Sequence, residues 1–172
     1  MQLLSAKPVM YVCNVDEDSA ATGNEYSEKL VEWASANGTP VVVIAAAIEA
    51  EIAQITDEAE KNEFLETLGL EESGLAQVIR TGYDLLDLII YFTAGPTEAR
   101  AWTIPANTRA QDAAGKIHSD FARGFICAET ISYDDYIDCG GEAGAKEAAK
   151  MRKEGREYIV KDGDVILFRF NV

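Results

Sequence analysis

The sequence predicts an α/β protein built as two consecutive units: a βαβ unit with trailing helices, then a small mixed sheet crossed by helices. Three observations carry this. "PVMYVC" (8–13) and "TPVVVIAAA" (39–47) are short apolar runs separated by one amphipathic stretch, the order strand, helix, strand. From about residue 88 the texture changes to strand-like runs with helical stretches between them. The charge changes at the same place. Residues 1–86 hold 16 acidic and 4 basic residues, a net of −12, whereas 87–172 hold 14 and 11, a net of −3.

"PVMYVC" reads as a buried strand opened by a proline, which a strand tolerates at its first position. "NEYSEKLVEWASANG" (24–38) places Tyr26, Leu30, Val31 and Trp33 at helical spacing and stops at Asn37-Gly38. "TPVVVIAAA" is valine-rich and unbroken, which suits a parallel strand covered on both faces. Three helices are expected next: "EAEIAQI" (49–55), "TDEAEKNEFLETLG" (56–69) with Thr56 as N-cap, and "SGLAQVIRTGYDLLDL" (73–88) with Ser73 as N-cap. The middle helix is acidic and expected to face solvent. In the second unit "IIYFTAG" (89–95), "ARAWTIP" (99–105), "GFICAETI" (124–131) and "DVILFRF" (164–170) are predicted strands, the last entered through an Asp162-Gly163 turn. Helices are predicted over "AQDAAGKIHSDFARG" (110–124) and "GAKEAAKMRKEG" (144–155).

The 172 residues, 48% of them hydrophobic, suffice for one generous domain or two small ones with packed cores. No apolar run reaches the roughly 18–20 residues that span a bilayer, and the first residues lack a basic-then-apolar signal layout, so no membrane partner is expected. Cys13, Cys127 and Cys139 lie far apart with no CxxC pair, which predicts free thiols, a reducing cytoplasmic setting and no zinc site.

The first strand runs into "NVDE" (14–17). Strands of a parallel sheet deliver their C-terminal ends to the ligand crevice, so Asn14 and Glu17 fall where a doubly wound sheet binds nucleotides. The Asn14 amide offers donors and an acceptor, and an ionised Glu17 is an acceptor; together they can read the polar edge of a base. The same spacing also suits a turn followed by a helix N-cap. The residues alone leave both readings open.

The wider pattern resembles the C-terminal half of the YchF family of Obg-like P-loop NTPases. "NVDE" matches the place where that family carries Asn-x-x-Glu and most GTPases carry Asn-Lys-x-Asp. "VVVIAAAIEAE" (41–51) is similar to the strand and loop that close over the base. "YFTAGPTEARAWTI" (91–104), "AAGKIHSDFARGFICAETISYDDYI" (113–137) and residues 141–172 resemble the TGS domain, a β-grasp fold. The resemblance spans essentially the whole chain. It implies a partial Ras-like P-loop NTPase domain over 1–86 followed by a TGS domain over 87–172. It also implies a nucleotide-binding role for Asn14, Val15, Glu17, Ala46 and Ala47, and a ribosome partner, through the large subunit or its RNA. Guanine presents adjacent N–H donors that a well-placed aspartate accepts as a fork. Glu17 is one methylene longer and Val15 stands in place of the lysine, so the resemblance implies a preference for ATP, or a relaxed choice that includes GTP.

Phosphate chemistry needs a Gly-rich loop, a lysine and a Ser/Thr on magnesium. No G-x-x-x-x-G-K-[ST] occurs in the sequence, and in "GGEAGAKEA" (140–148) Ala145 separates Gly144 from Lys146. The expectation is a chain that begins late in such an NTPase domain; the sequence does not decide whether Met1 is a native start. It would carry no catalytic residue and hold no Mg2+ or ATP by itself. An unpaired strand edge and exposed apolar surface in the first unit would then favour mobility or self-association.

The remaining constellations point to ordinary roles. His118 in "GKIHSDF" has Ser119 and Asp120 as sequence neighbours, which face different ways on a helix and make no triad; a surface histidine is expected. Ser132, Asp134, Asp135 and Asp138 read as a solvated acidic turn, lacking calcium-loop spacing. Tyr91, Phe92 and Trp102 could stack on bases but are expected in the core. Lys146, Lys150 and Lys153 fall at i, i+4 and i+7 of the last predicted helix and form a candidate RNA or ribosome contact. The rival functional reading is therefore an RNA- or ribosome-binding module without nucleotide chemistry of its own.

Overall fold

The computed structural model describes residues 3–95 and 97–171. The chain divides into two compact units, Met1–Leu86 and Asp87–Val172.

In the first unit, β1 (Tyr11–Asn14) and β2 (Val41–Ile44) pair in parallel, Tyr11 opposite Val41 and Asn14 opposite Ile44. Between them runs α1 (Glu25–Ala36), opened by a capping box in which Asn24 and Ser27 exchange side-chain and backbone bonds. Then follow α2 (Ala46–Ile52), α3 (Glu58–Thr67) and α4 (Gly74–Leu85). Ala45, Ile48, Ile52 and Leu65 form the core, with Val15, Ala20, Phe64, Leu68 and Leu70 packed against it. Ser73 caps α4 by accepting from the Ala76 N–H.

Three expectations need correction here. The cap of α3 is Asp57, whose Oδ1 accepts from Ala59 and Glu60 N–H groups, and not Thr56. A carboxylate one residue closer wins because it also faces the positive end of the helix. β1, expected to be a buried strand, exposes Val12 and Asn14, whereas β2 has no exposed residue, Val42 being buried and its neighbours half-buried. The apolar stripe of α1 is also largely exposed: Tyr26 is 80% and Trp33 52% accessible, and small Ser27 and Ala34 are the buried residues. Periodicity marks a face that wants burial. It does not say whether this unit supplies the cover.

In the second unit, β3 (Leu88–Ala94) and β4 (Ala99–Pro105) form an antiparallel hairpin. After it come α5 (Ala110–Ile117), α6 (Ser119–Arg123), β5 (Phe125–Ser132), α7 (Tyr133–Asp138), α8 (Glu142–Glu147), β6 (Arg152–Glu154) and β7 (Asp164–Phe170). The sheet order is β4-β3-β7-β5-β6, with β7 parallel to β3 and antiparallel to β5. A five-stranded mixed sheet packing α5 is a β-grasp arrangement. Its core holds Tyr91, Ile104, Ala110, Ala113, Ala114, Ile166 and Phe168 among others. Tyr91 is fully buried and donates its hydroxyl to the Ala113 carbonyl at 2.9 Å, tying sheet to helix. Burial pushes its phenol well above the ordinary range.

Here too the sequence reading is corrected. The helix predicted over 110–124 breaks at His118, whose backbone is extended and whose Nδ1 accepts from the Asp120 N–H to cap α6. The acidic turn is helix α7, capped by Ser132. The helix predicted over 144–155 ends at Glu147. Ala149 takes a left-handed φ of 56°, Lys150 N–H returns to the Ala145 carbonyl at 2.8 Å, and 152–154 are strand β6 paired with β5. This is a Schellman stop built on alanine rather than glycine, so composition gave no sign of it.

Candidate nucleotide-base site

Asn14 is the last residue of β1, and Ala46 and Ala47 are the first two of α2, which follows β2 directly. Parallel pairing sets the ends of β1 and β2 side by side, so these residues converge on one rim. The Asn14 Oδ1 accepts from the Ala46 N–H at 3.0 Å. That bond occupies the amide's acceptor and leaves its NH2 as a donor pair. Helix α2 has no side-chain cap from its own N-cap, Ala45, and Asn14 supplies it from another element.

Val15 continues the rim differently. Its N–H donates to the Ile44 carbonyl at 2.8 Å and its side chain packs on the Ala45–Ile48–Ile52–Leu65 cluster. Asp16 then caps a short 3-10 turn, Glu17–Ser19, by accepting from the Ser19 N–H at 3.0 Å. Asn14, Glu17, Ala46 and Ala47 are all exposed. The result is an amide donor, a carboxylate acceptor and the first turn of a helix at one end of a parallel strand pair. Such a rim can engage a flat polar ligand edge.

Sequence reading missed one residue of this region. Glu49, on the second turn of α2, accepts from the Gly74 N–H at 2.7 Å and the Leu75 N–H at 3.0 Å through its two oxygens. The pattern "IEAE" marks a helix and says nothing of a partner 25 residues downstream.

The lysines predicted to form one face do not share a helix. Lys146 lies in α8, Lys150 follows its end, and Lys153 is in β6. Lys150 Nζ bonds Asp135 at 2.9 Å, and Lys153 Nζ lies 3.8 Å from Glu129, which also holds Arg169. The Asp135 carboxyl is held below its ordinary range, first by the Ser132 hydroxyl and then by Lys150, and the Lys150 ammonium is correspondingly raised. His118 is exposed and its imidazole serves as a cap, beside Asp120. Phe92 is half-buried against Tyr133, and Trp102 is partly buried under Arg100, 4.0 Å from its ring. Among the described residues no group of three or more His, Cys, Asp or Glu is arranged to hold a metal ion. No described helix is long and apolar enough to cross a membrane.

A domain family named YchF-GTPase_C, described as a protein of unknown function (DUF933), matches residues 88–171. Over all 172 residues the chain is 56% identical to the ribosome-binding ATPase YchF of Escherichia coli O157:H7, covering 100% of this chain and 47% of that protein. It is 55% identical to the protein of the same name from Bacillus subtilis, again over 47% of its length. The Schizosaccharomyces pombe YchF GTPase structure superposes with a TM-score of 0.83 at 36% identity, over 97% of this chain and 44% of that one. The chain matches the C-terminal part of the YchF family in sequence and in fold. It thus spans just under half the length of these curated relatives. The fold is that of a partial Ras-like nucleotide-binding domain followed by a β-grasp domain. A GTP binding protein of Pyrococcus horikoshii OT3, at TM-score 0.61 and 20% identity, shares the fold.

Proposed function

We propose that this chain is the base-reading end and TGS module of a nucleotide-binding, ribosome-associated NTPase of the YchF type. On this reading residues 1–86 are the last portion of the NTPase domain and 87–172 the TGS domain. The observation that carries it is the Asn14–Ala46 bond, which occupies the Asn14 oxygen and leaves its NH2 free to donate, with the exposed Glu17 acceptor three residues on in the chain. Ala47 exposes the second position of the same turn, and Val15 anchors the loop through its packing. ATP is the preferred nucleotide and GTP the weaker one, because Glu17 does not match the short fork that guanine's adjacent donors favour. The parts that hold phosphates and Mg2+ lie outside these 172 residues, which contain no G-x-x-x-x-G-K-[ST], so the chain alone is inactive.

Calorimetric titration with ATP and GTP, on this chain and on the same protein extended upstream through a P-loop, tests the reading. The expected result is no heat with this chain and ATP-selective binding by the longer one, weakened about tenfold or more by Asn14→Ala or Glu17→Ala, the loss of one charge-assisted or amide bond. Unchanged affinity in both variants overturns the base site.

The second reading is a ribosome- or RNA-binding module without nucleotide chemistry; the words "ribosome-binding" in the relatives' name support its binding half. Lys146, Lys150 and Lys153 are proposed contacts acting from separate elements; phosphate would have to compete with Asp135 and Glu129 for two of them. Ribosome co-sedimentation of the chain, weakened by their replacement and by salt, supports this; no co-sedimentation at low salt removes it. A cytoplasmic location follows from such a partner. Exposed Val12, Val31 and Trp33 support self-association of the first unit, which sedimentation at rising concentration reads directly.

A further inference from the structure

Helix α2 is seven residues long, too short to persist without tethers. Its apolar tether is the burial of Ile48 and Ile52. Its polar tethers lie at two points: Asn14 holds the Ala46 N–H at the start, and one turn later Glu49 reaches two successive N–H groups of α4. Those α4 donors are orphans of a helix start, and Ser73 already satisfies a different one, that of Ala76. Gly74 fits tightly beside the end of β2: a Cβ there would lie 2.6 Å from Ile44 Cγ2 and 3.0 Å from Glu49 Oε1. Ile44 in turn accepts from Val15. The contacts close a ring from β1 to α2 to α4 to β2 and back to β1.

We propose that Glu49 is a positioning residue for the base-facing backbone, holding α2 against α4 so that the Ala46 amide stays on Asn14. The inference rests on reading this rim as the base site. A carboxylate suits the task because both of its oxygens accept at once and charge-assisted bonds are the strong ones. The neighbouring acid Glu51, exposed on the same helix, makes no such bond among the described residues.

Amide hydrogen exchange, resolved residue by residue by NMR on the 172-residue chain, tests this in wild type, Glu49→Gln and Glu49→Ala. The expected result is exchange of the Ala46 amide faster by about tenfold or more in Glu49→Ala and by less in Glu49→Gln, which keeps one acceptor. The amides of Leu65 in α3 and Tyr91 in β3 should be unchanged, which a general loss of stability would not allow. Faster exchange confined to Gly74 and Leu75, with Ala46 unmoved, reduces Glu49 to a cap of α4 and overturns the proposal. If Glu49→Ala unfolds the first unit, Glu49→Gln decides by the same comparison. Failure of the base site itself shows elsewhere, as unchanged ATP affinity in the Asn14 and Glu17 variants of the longer protein.

Discussion

Replacing Asp164 should destabilise the β-grasp unit more than any other single polar change in it. Asp164 opens β7 and is 3% exposed. Its Oδ2 accepts from the Tyr158 hydroxyl at 2.8 Å and the Lys161 N–H at 2.9 Å, while the Arg152 guanidinium lies 3.6 Å from Oδ1. Hydrogen bonds to a charged acceptor contribute about 1.5–3 kcal/mol each. Breaking a buried ion pair from one side costs about 3–5 kcal/mol. Arg152 retains Glu154 at 3.1 Å, so it is not stranded, and the lower end applies: about 3 kcal/mol for Asp164→Ala. Asp164→Asn can keep its oxygen toward both donors but then turns an NH2 toward Arg152, for a loss of about 1.5–2 kcal/mol. The assay is urea unfolding followed by tryptophan fluorescence. The chain has two tryptophans, Trp33 and Trp102, one in each unit, so a Trp33→Phe background reports the second unit alone. A double-mutant cycle with Tyr158→Phe should show coupling of about 1 kcal/mol. A loss below about 1 kcal/mol in Asp164→Ala would refute the reasoning, since the network would then be no better than an exposed pair.

Alkaline pH probes the same cluster. Burial, then the Asp164 hydrogen bond, push the Tyr158 phenol from 10.0 up to about 12, and Tyr91 is raised further by burial. A raised folded-state pKa gives stability that is present below pH 10 and lost as pH rises through 12. Urea midpoints should therefore hold to about pH 10 and fall above it, with a shallower fall in Tyr158→Phe. Gly124→Ala should cost about 1–3 kcal/mol by overpacking, because its Cβ would lie 2.2 Å from the Asn171 carbonyl oxygen, whereas Gly155→Ala meets nothing and should be neutral in the same unfolding assay. Lys150→Ala should move the Asp135 carboxyl up toward its ordinary range only in part, because the Ser132 hydroxyl, the first cause of its lowering, still donates to it; a carbon-detected NMR titration reads this, and full normalisation contradicts it.

Much of the fold was legible because its signals are local. The runs at 8–13, 39–47, 89–95, 99–105, 124–131 and 164–170 are strands in the structure, with ends shifted by a few residues. Ser73 was readable as a cap because a hydroxyl before an amphipathic run has few other uses. The failures occurred where local preference and tertiary bonds conflict. Residues 144–155 are rich in alanine, glutamate and lysine, and propensity favours a continuous helix. Pairing of 152–154 with β5 overrides it, and the three lysines lose their common face. His118 breaks a helix because its imidazole caps the next one, a use that composition does not announce.

Sequence alone determined the strand-helix-strand order of the first unit, the change of texture near residue 88, and the placing of "NVDE" at a strand end. These follow from hydrophobic period and chain order, which each residue carries with it. Tertiary structure decided which way the Asn14 amide points, that Val15 is packed, that Glu49 clamps α2 to α4, and that Lys150 and Lys153 are paired with acids. Those facts depend on partners 15 to 50 residues away in the chain. A hydrogen bond needs its two atoms within about 3 Å, and only the folded chain brings them there.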